Sequence, residues 1–299
     1  MPRGHVVVVD RVFAPEVSGR AWSRELERWV RAGEPGRVLK RDGPHVVVAS
    51  GMFGRGVVVK RWLPSAWTRF RSGISGSKSE RHWRGAAWLT RHGIDTARCL
   101  AMAHDASIIA RCDYLIMEEL TGPTVLDVLT RARQRDAGEP GHAGGTNAAA
   151  SGAGRRAVGV REELAIAREV GRQIAGMIAH GRFNRDHKPS NLIVVWRGGR
   201  AGVAVIDCVA ILPLWRGGGA GGSLERMLAS LCIEPLGIGV VPRRSLVMAT
   251  LCAALGIERG DGRGDRGAMR LSPSSKLALR GVWRTVAARV RAQGGSARG

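Results

Sequence analysis

The chain has 299 residues, 44% of them hydrophobic, with a mean hydropathy of -0.08; that supports a real core, as one large domain or two small lobes, and no apolar run reaches the ~18 residues a membrane span needs. Net charge is +22, which suits polyanions in general. Yet only five of the 47 Lys and Arg are lysine, leaving 42 arginines, the excess that GC-rich coding produces, and no basic–aromatic pattern recurs, so the charge does not point to nucleic acid.

The N-terminus, MPRGHVVVVDRVF, has one early Arg and a short apolar run. It lacks a long h-region and a small-residue cleavage site, so a cytoplasmic protein is expected. Residues 18–32 pattern as an amphipathic helix ending at Gly33. RVLK and HVVVAS follow as short strands about a turn at Asp42-Gly43-Pro44, then the glycine-rich turn GMFGRG and the strand VVVKRW. SKSERHWRGAAWLTRHGI is a helix stopped at Gly93, and ASIIARCDYLIMEEL supplies two more strands. The expectation is therefore five strands with one helix after the third.

TVLDVLTRARQ is a short helix, and residues 135–157, rich in Gly, Ala and Pro, form a flexible insertion. A long helix spans 161–180, where Leu164, Ala167, Val170, Ile174, Met177 and Ile178 make one buried stripe. NLIVVW, the turn RGGRAG and VAVID form a hairpin ending at Asp207. Helices are expected at 223–232, 243–256 and, a basic one, 274–292; the glycine run at 216–222 reads as a flexible loop. The five cysteines, Cys99, Cys112, Cys208, Cys232 and Cys252, have no C-x-x-C spacing, which argues for reduced thiols in the core.

Between the long helix and the hairpin lies FNRDHKPSNLIVV, residues 183–195, with Asp186, Lys188 and Asn191 inside six positions. Phosphoryl transfer asks for positioning and charge neutralisation more than covalent chemistry. An acid beside the acceptor hydroxyl takes its proton, a cation meets the transferred phosphate, and Mg²⁺ wants hard oxygen ligands. Asp186, Lys188, and the pair Asn191 and Asp207 have those chemistries. Where arginine does most cationic work, a retained lysine marks a place a guanidinium fork does not fit, and Lys60 and Lys188 both fall in such motifs.

This order of elements resembles the protein-kinase-like fold, an α+β bilobal architecture with an antiparallel sheet in the N-lobe and a mostly helical C-lobe. RDHKPSN matches the catalytic-loop pattern R-D-x-K-x-x-N, with Asn184 where a His is usual, and IDC stands where Asp-Phe-Gly is usual. The resemblance implies residues 1–35 as a helical extension, 36–119 as the nucleotide-binding N-lobe and 120–299 as the C-lobe. It implies ATP and Mg²⁺ as cofactors, with Asp186 and Lys188 catalytic and Asn191 and Asp207 on the metal. Lys60 would bind the nucleotide phosphates and pair with Glu80, the one acid in residues 60–94. Backbone groups at Glu118 to Leu120 would meet adenine.

The stretch SKSERHWRGAAWLTRHGIDTARCLAMA, with VVVKRW and the tail LERMLASLCIEPLGIGVVPRRSLVMATLCAAL, is similar to the Kdo/WaaP lipopolysaccharide kinase family. That implies a sugar hydroxyl of the lipopolysaccharide core, or a related lipid-linked sugar, as acceptor. It also allows peripheral contact of the basic C-terminal helix with an anionic membrane surface. Cys208-Val209 in place of Phe-Gly, and the absence of an Ala-Pro-Glu segment, argue against a regulated protein kinase. The rivals are a protein or other small-molecule kinase, and a pseudokinase scaffold without transfer.

Overall fold

A computed structural model describes residues 4–9, 17–43, 45–63, 76–105, 112–136, 158–257 and 273–296. The chain divides into two compact units. The first comprises Met1–Arg91, Thr96–Leu120 and Asp207–Ala210; the second comprises His92–Asp95, Thr121–Ile206 and Ile211–Gly299.

The first unit is built on a six-stranded antiparallel sheet. Its strands are β1 (Gly4–Val9), β2 (Arg37–Asp42), β3 (His45–Met52), β4 (Arg55–Trp62), β5 (Cys99–Asp105) and β6 (Asp113–Glu118), in the order β1-β5-β6-β4-β3-β2. The sheet thus gains an N-terminal strand beyond the five expected. The fourth expected strand also lies earlier than ASIIAR: it is CLAMAHD at Cys99–Asp105, while residues 106–111 fall outside the described residues. Ala, Met and His are weak β-formers, so propensity favoured the β-branched run that follows.

Helix α1 (Gly19–Arg31) covers one face. Ser18 caps it, its hydroxyl accepting from the Ala21 N–H at 3.3 Å. Trp22, Leu26 and Trp29, at i, i+4 and i+7, pack into one cluster with Val46, Val48, Val57, Val59, Tyr114 and Ile116. The Trp29 indole N–H donates to the Pro35 carbonyl at 2.9 Å, which satisfies its one polar atom. Strand alternation then decides the direction of Lys60. Val57 and Val59 belong to the α1 face, so Lys60 points to the opposite face, in register with Val47 of β3 and Leu115 of β6.

The second unit is mostly helical: α3 (Val125–Asp136), α4 (Val160–Ala179), α5 (Gly219–Gly237), α6 (Arg244–Ala254) and α7 (Pro273–Ser296), after α2 (Lys78–Arg91) of the first unit. The buried side of α4 is Glu163, Ile166, Ala167, Val170, Gln173, Ile174 and Met177, so Leu164 and Ile178 sit at the edge of the expected stripe. Gly171 lets α4 and α6 approach closely, since a Cβ there would lie 2.3 Å from the Thr250 carbonyl oxygen. Helix α7 buries Leu279 and Val286 and pairs Arg289 with Glu225 of α5 at 3.6 Å, so one side of the basic C-terminal helix packs within the unit.

Two small sheets frame the catalytic-loop sequence. Strand β7 (Arg182–Asn184) pairs with β10 (Ile211–Pro213), and β8 (Leu192–Arg197) pairs with β9 (Arg200–Val205). The β8–β9 turn is Gly198-Gly199, with φ of 55° and 78°, the left-handed pair a two-residue hairpin demands. The glycine run expected as a loop mostly opens α5 instead. Gly217 has a packing reason: a Cβ there would meet the Ser223 hydroxyl at 2.0 Å and the Phe183 ring at 2.9 Å. Most of the expected insertion, residues 137–157, lies outside the described residues. Among the described residues no helix is long and apolar enough to cross a membrane.

Candidate active site

The segment after β7 is held by its own polar groups. Phe183 and Asn184 are fully buried, and the Asn184 Oδ1 accepts the Asp186 N–H at 3.1 Å. An amide can thus fix the backbone where a histidine was expected. The Asp186 carbonyl accepts from the Lys188 N–H at 3.0 Å, and the Lys188 carbonyl from the Asn191 N–H at 2.9 Å. Pro189 opens a 3₁₀ turn over Pro189–Asn191, where its missing N–H costs nothing.

The side chains converge on the same loop. Asn191 Nδ2 donates to the Asp186 carbonyl at 3.0 Å and to its Oδ2 at 3.2 Å. That use of the amide nitrogen leaves Oδ1 as the atom able to bind a hard cation. Lys188 Nζ lies 3.8 Å from Asp186 Oδ1 and 3.9 Å from Glu234 Oε1. Glu234 itself binds Ser190 through the backbone N–H at 2.8 Å and the hydroxyl at 2.5 Å. Nothing in the sequence marks Glu234, which stands 44 positions from Ser190. His187 is fully buried, and burial lowers its pKa to about 4, so it is a neutral packing group. The Ile206 N–H donates to the Asn191 carbonyl at 3.0 Å, and Asp207 is the next residue along the chain.

In the first unit, Lys60 and Asp207 flank one small buried group. Cys208 has its pKa pushed up to about 12, mainly by burial; a bond to Thr96, at 3.2 Å, and the nearby Lys60 oppose that shift, and Asp207 adds to it. His82 of α2 is fully buried, its Nδ1 3.8 Å from Asp207 Oδ1. Burial first and Lys60 second hold its pKa well below the ordinary value. The imidazole is therefore neutral. Gly85, one turn on from His82, meets the Cys208 carbonyl: a Cβ at Gly85 would lie 2.2 Å from that oxygen.

Glu80 closes a capping box at the start of α2. Its Oε2 accepts the Ser77 N–H at 3.0 Å, and the Ser77 hydroxyl accepts the Glu80 N–H at 3.2 Å. Its Oε1 faces His104 Nε2 at 3.8 Å, and His104 Nδ1 lies 2.7 Å from the buried Asp113. His104 carries no sequence signal, since its strand is built from weak β-formers, and Asp113 opens β6 with no motif around it. Glu118 pairs twice with Arg98: its N–H donates to the Arg98 carbonyl and its carboxylate accepts the Arg98 N–H, both at 2.9 Å. The Glu119 N–H donates to the Gly56 carbonyl at 3.1 Å. Both amides are bonded at the end of β6, and half-buried Leu120 follows them.

The solved structure described as "WaaP in complex with acyl carrier protein" matches this chain with a TM-score of 0.55, covering 94% of this chain and 98% of that one. The chain has a protein-kinase-like fold. Sequence identity is 16%, so the likeness is one of fold. No family model and no curated protein matches the sequence. The kinase-like fold is legible in RDHKPSN and in the order of elements. Within that fold the second unit assembles Asp186, Lys188 and Asn191 by direct contacts. The first gathers Lys60, His82 and Asp207 about Cys208, and sets Glu80 against Ser77 and His104.

Proposed function

We propose that this chain is an ATP- and Mg²⁺-dependent phosphotransferase whose acceptor is a hydroxyl of a sugar or lipid-linked sugar, as in the lipopolysaccharide core. The observation that carries the reading is the loop in which Asp186, Lys188 and Asn191 hold one another within 3.0–3.8 Å, on a kinase-like fold. Asp186 orients the acceptor hydroxyl and takes its proton. Lys188 neutralises charge on the transferred phosphoryl group. Lys60 holds the nucleotide phosphates, with Glu80 as its intended partner, and backbone groups at Glu118 to Leu120 other than the two bonded amides meet adenine.

Among the described residues, no group of three or more His, Cys, Asp or Glu side chains could cage a metal. An amide oxygen and a carboxylate, with phosphate and water completing the shell, suit Mg²⁺, which rarely takes an all-protein cage. Asn191 and Asp207 would hold it, and the ion would supply charge neutralisation on the phosphates. The test is phosphate transfer from ATP to inner-core lipopolysaccharide sugars, run beside a peptide pool. Transfer to the sugar, abolished in Asp186→Ala while ATP still binds, supports the reading. Labelling of peptides alone rejects the acceptor class, and ATP turnover retained in Asp186→Ala rejects the role of the acid.

A second reading concerns a partner. The second unit encloses an apolar cavity among Val128, Ile166, Val170, Leu228, Leu251 and Val286, and the WaaP structure is a complex with acyl carrier protein. We infer that this chain also meets acyl carrier protein. Co-elution of the acylated but not the apo carrier supports this; separate elution of both rejects it.

A further inference from the structure

Glu234 stands near the end of α5, directly before Pro235. Its carboxylate takes both polar groups of Ser190, the N–H on Oε2 at 2.8 Å and the hydroxyl on Oε1 at 2.5 Å. Lys188 Nζ lies 3.9 Å from that same Oε1 and 3.8 Å from Asp186 Oδ1. One carboxylate thus binds the residues on both sides of Pro189, from a helix far along the chain.

We infer that Glu234 is a positioning residue for phosphoryl transfer, holding the loop through Ser190 and sharing the Lys188 ammonium with Asp186. The inference rests on the roles proposed above for Asp186 and Lys188. A lysine paired with Asp186 alone would spend its charge neutralising the very carboxylate that must accept a proton. A second anion at nearly the same distance divides that attraction and leaves the ammonium available to phosphate.

The residue type follows from the geometry. Two donors on one residue, a backbone N–H and a hydroxyl, call for two acceptor oxygens on one planar group, and charge-assisted bonds of this kind are short and strong. A glutamine offers one acceptor oxygen where Ser190 needs two. The helix end that carries Glu234 is itself stiffened. The Pro235 carbonyl accepts the N–H groups of Ile238 and Val240, at 3.1 and 2.8 Å, which closes α5 just past the clamp.

The experiment compares wild type, Glu234→Gln, Ser190→Ala and the double variant by ATP turnover with acceptor, by melting temperature, and by hydrogen exchange of the peptide covering 186–192. Glu234→Gln is expected to lower kcat by about ten- to a hundredfold, the scale of a catalytic group displaced by about 1 Å. KM for ATP should stay within about twofold, since the nucleotide contacts lie elsewhere. Exchange at 186–192 should quicken while the melting temperature barely moves. The double variant should be no slower than the worse single one, because both changes break the same clamp. An unchanged kcat, an unchanged exchange rate, or a loss of kcat that tracks a lower melting temperature and a higher KM would each overturn the inference. A wild-type protein that turns over no ATP removes the phosphotransferase reading and this role with it; an active wild type with an equally active Glu234→Gln removes this role alone.

Discussion

Gly85→Ala sets two physical effects against each other. Helix propensity alone predicts stabilisation, since alanine in a helix interior is favoured over glycine by about 1 kcal/mol. The packing predicts the reverse. A Cβ at Gly85 would lie 2.2 Å from the Cys208 carbonyl oxygen, 3.0 Å from its Cβ and 3.1 Å from its carbonyl carbon. Ordinary contact needs more than an ångström of extra separation from a backbone atom, which cannot rotate away as a side-chain tip can. Overpacking of this kind costs about 1–3 kcal/mol, and a rigid obstacle puts this site at the upper end. The net expectation is a loss of about 1–2 kcal/mol, a fall of a few degrees in Tm. Activity should suffer as well, because α2 carries Glu80 and His82 and the displaced segment carries Asp207. Differential scanning calorimetry, with ATP turnover on the same samples, reads both. A Tm that rises with turnover unchanged would show that propensity wins and that the contact is slack.

Glu163 has no exposed surface and pairs with Arg135 and with Arg243, the latter at 2.8 Å. Both arginines reach solvent, at 42% and 25% exposure, so Glu163→Gln should cost about 1–3 kcal/mol in urea denaturation rather than the full penalty of a stranded buried charge; a change below about 0.5 kcal/mol would refute it. His187, lowered from 6.5 to about 4 by burial, contributes nothing above pH 6.5, where folded and unfolded chains are both neutral. Between pH 6.5 and 4 the unfolded chain takes the proton first, so stability falls as pH falls, by about 2 kcal/mol at pH 5. His187→Leu should flatten that slope in denaturation curves at pH 5 and 7.5, and an equal slope in both proteins would refute the buried neutral state. Lys60→Met should weaken ATP binding by roughly tenfold or more, the worth of one charge-assisted contact; an unchanged dissociation constant in calorimetry would remove Lys60 from the nucleotide site.

The parts legible in the sequence are those with local signals. The α4 stripe shows a helical period, Gly198-Gly199 marks a tight hairpin, and Asp186, Lys188 and Asn191 fall within one six-residue window. The parts that were not legible depend on distance along the chain or on packing. Strand β5 is built from Cys, Leu, Ala, Met and His, residues that become a strand because β1 and β6 flank them. Glu234 meets Ser190 across 44 residues. The run 216–222 reads as a loop by composition, yet Gly217 is glycine because Ser223 and Phe183 leave no room for a Cβ. Glu80 stands out in the sequence as the one acid in residues 60–94, and its capping box with Ser77 shows that its carboxylate serves the helix start.

Two departures from the kinase pattern become intelligible once the local bonds are traced. At Asn184 the requirement is an acceptor that fixes the backbone of Asp186 inside a fully buried strand end, and a short amide meets it: its Oδ1 takes the Asp186 N–H, while the Asn184 backbone N–H donates to Met227 Sδ at 3.3 Å. At Cys208 the requirement is a small, uncharged group that fits against Gly85 and Thr96. Burial raises the thiol pKa to about 12 and keeps it neutral, so it adds no charge beside Asp207. Glycine at 85 answers instead to the backbone of Cys208, whose carbonyl oxygen would lie 2.2 Å from an added Cβ whatever side chain stands at 208. A smaller side chain at 208 leaves that contact in place, so Gly85→Ala should cost as much in a Cys208→Ala background as in the wild type.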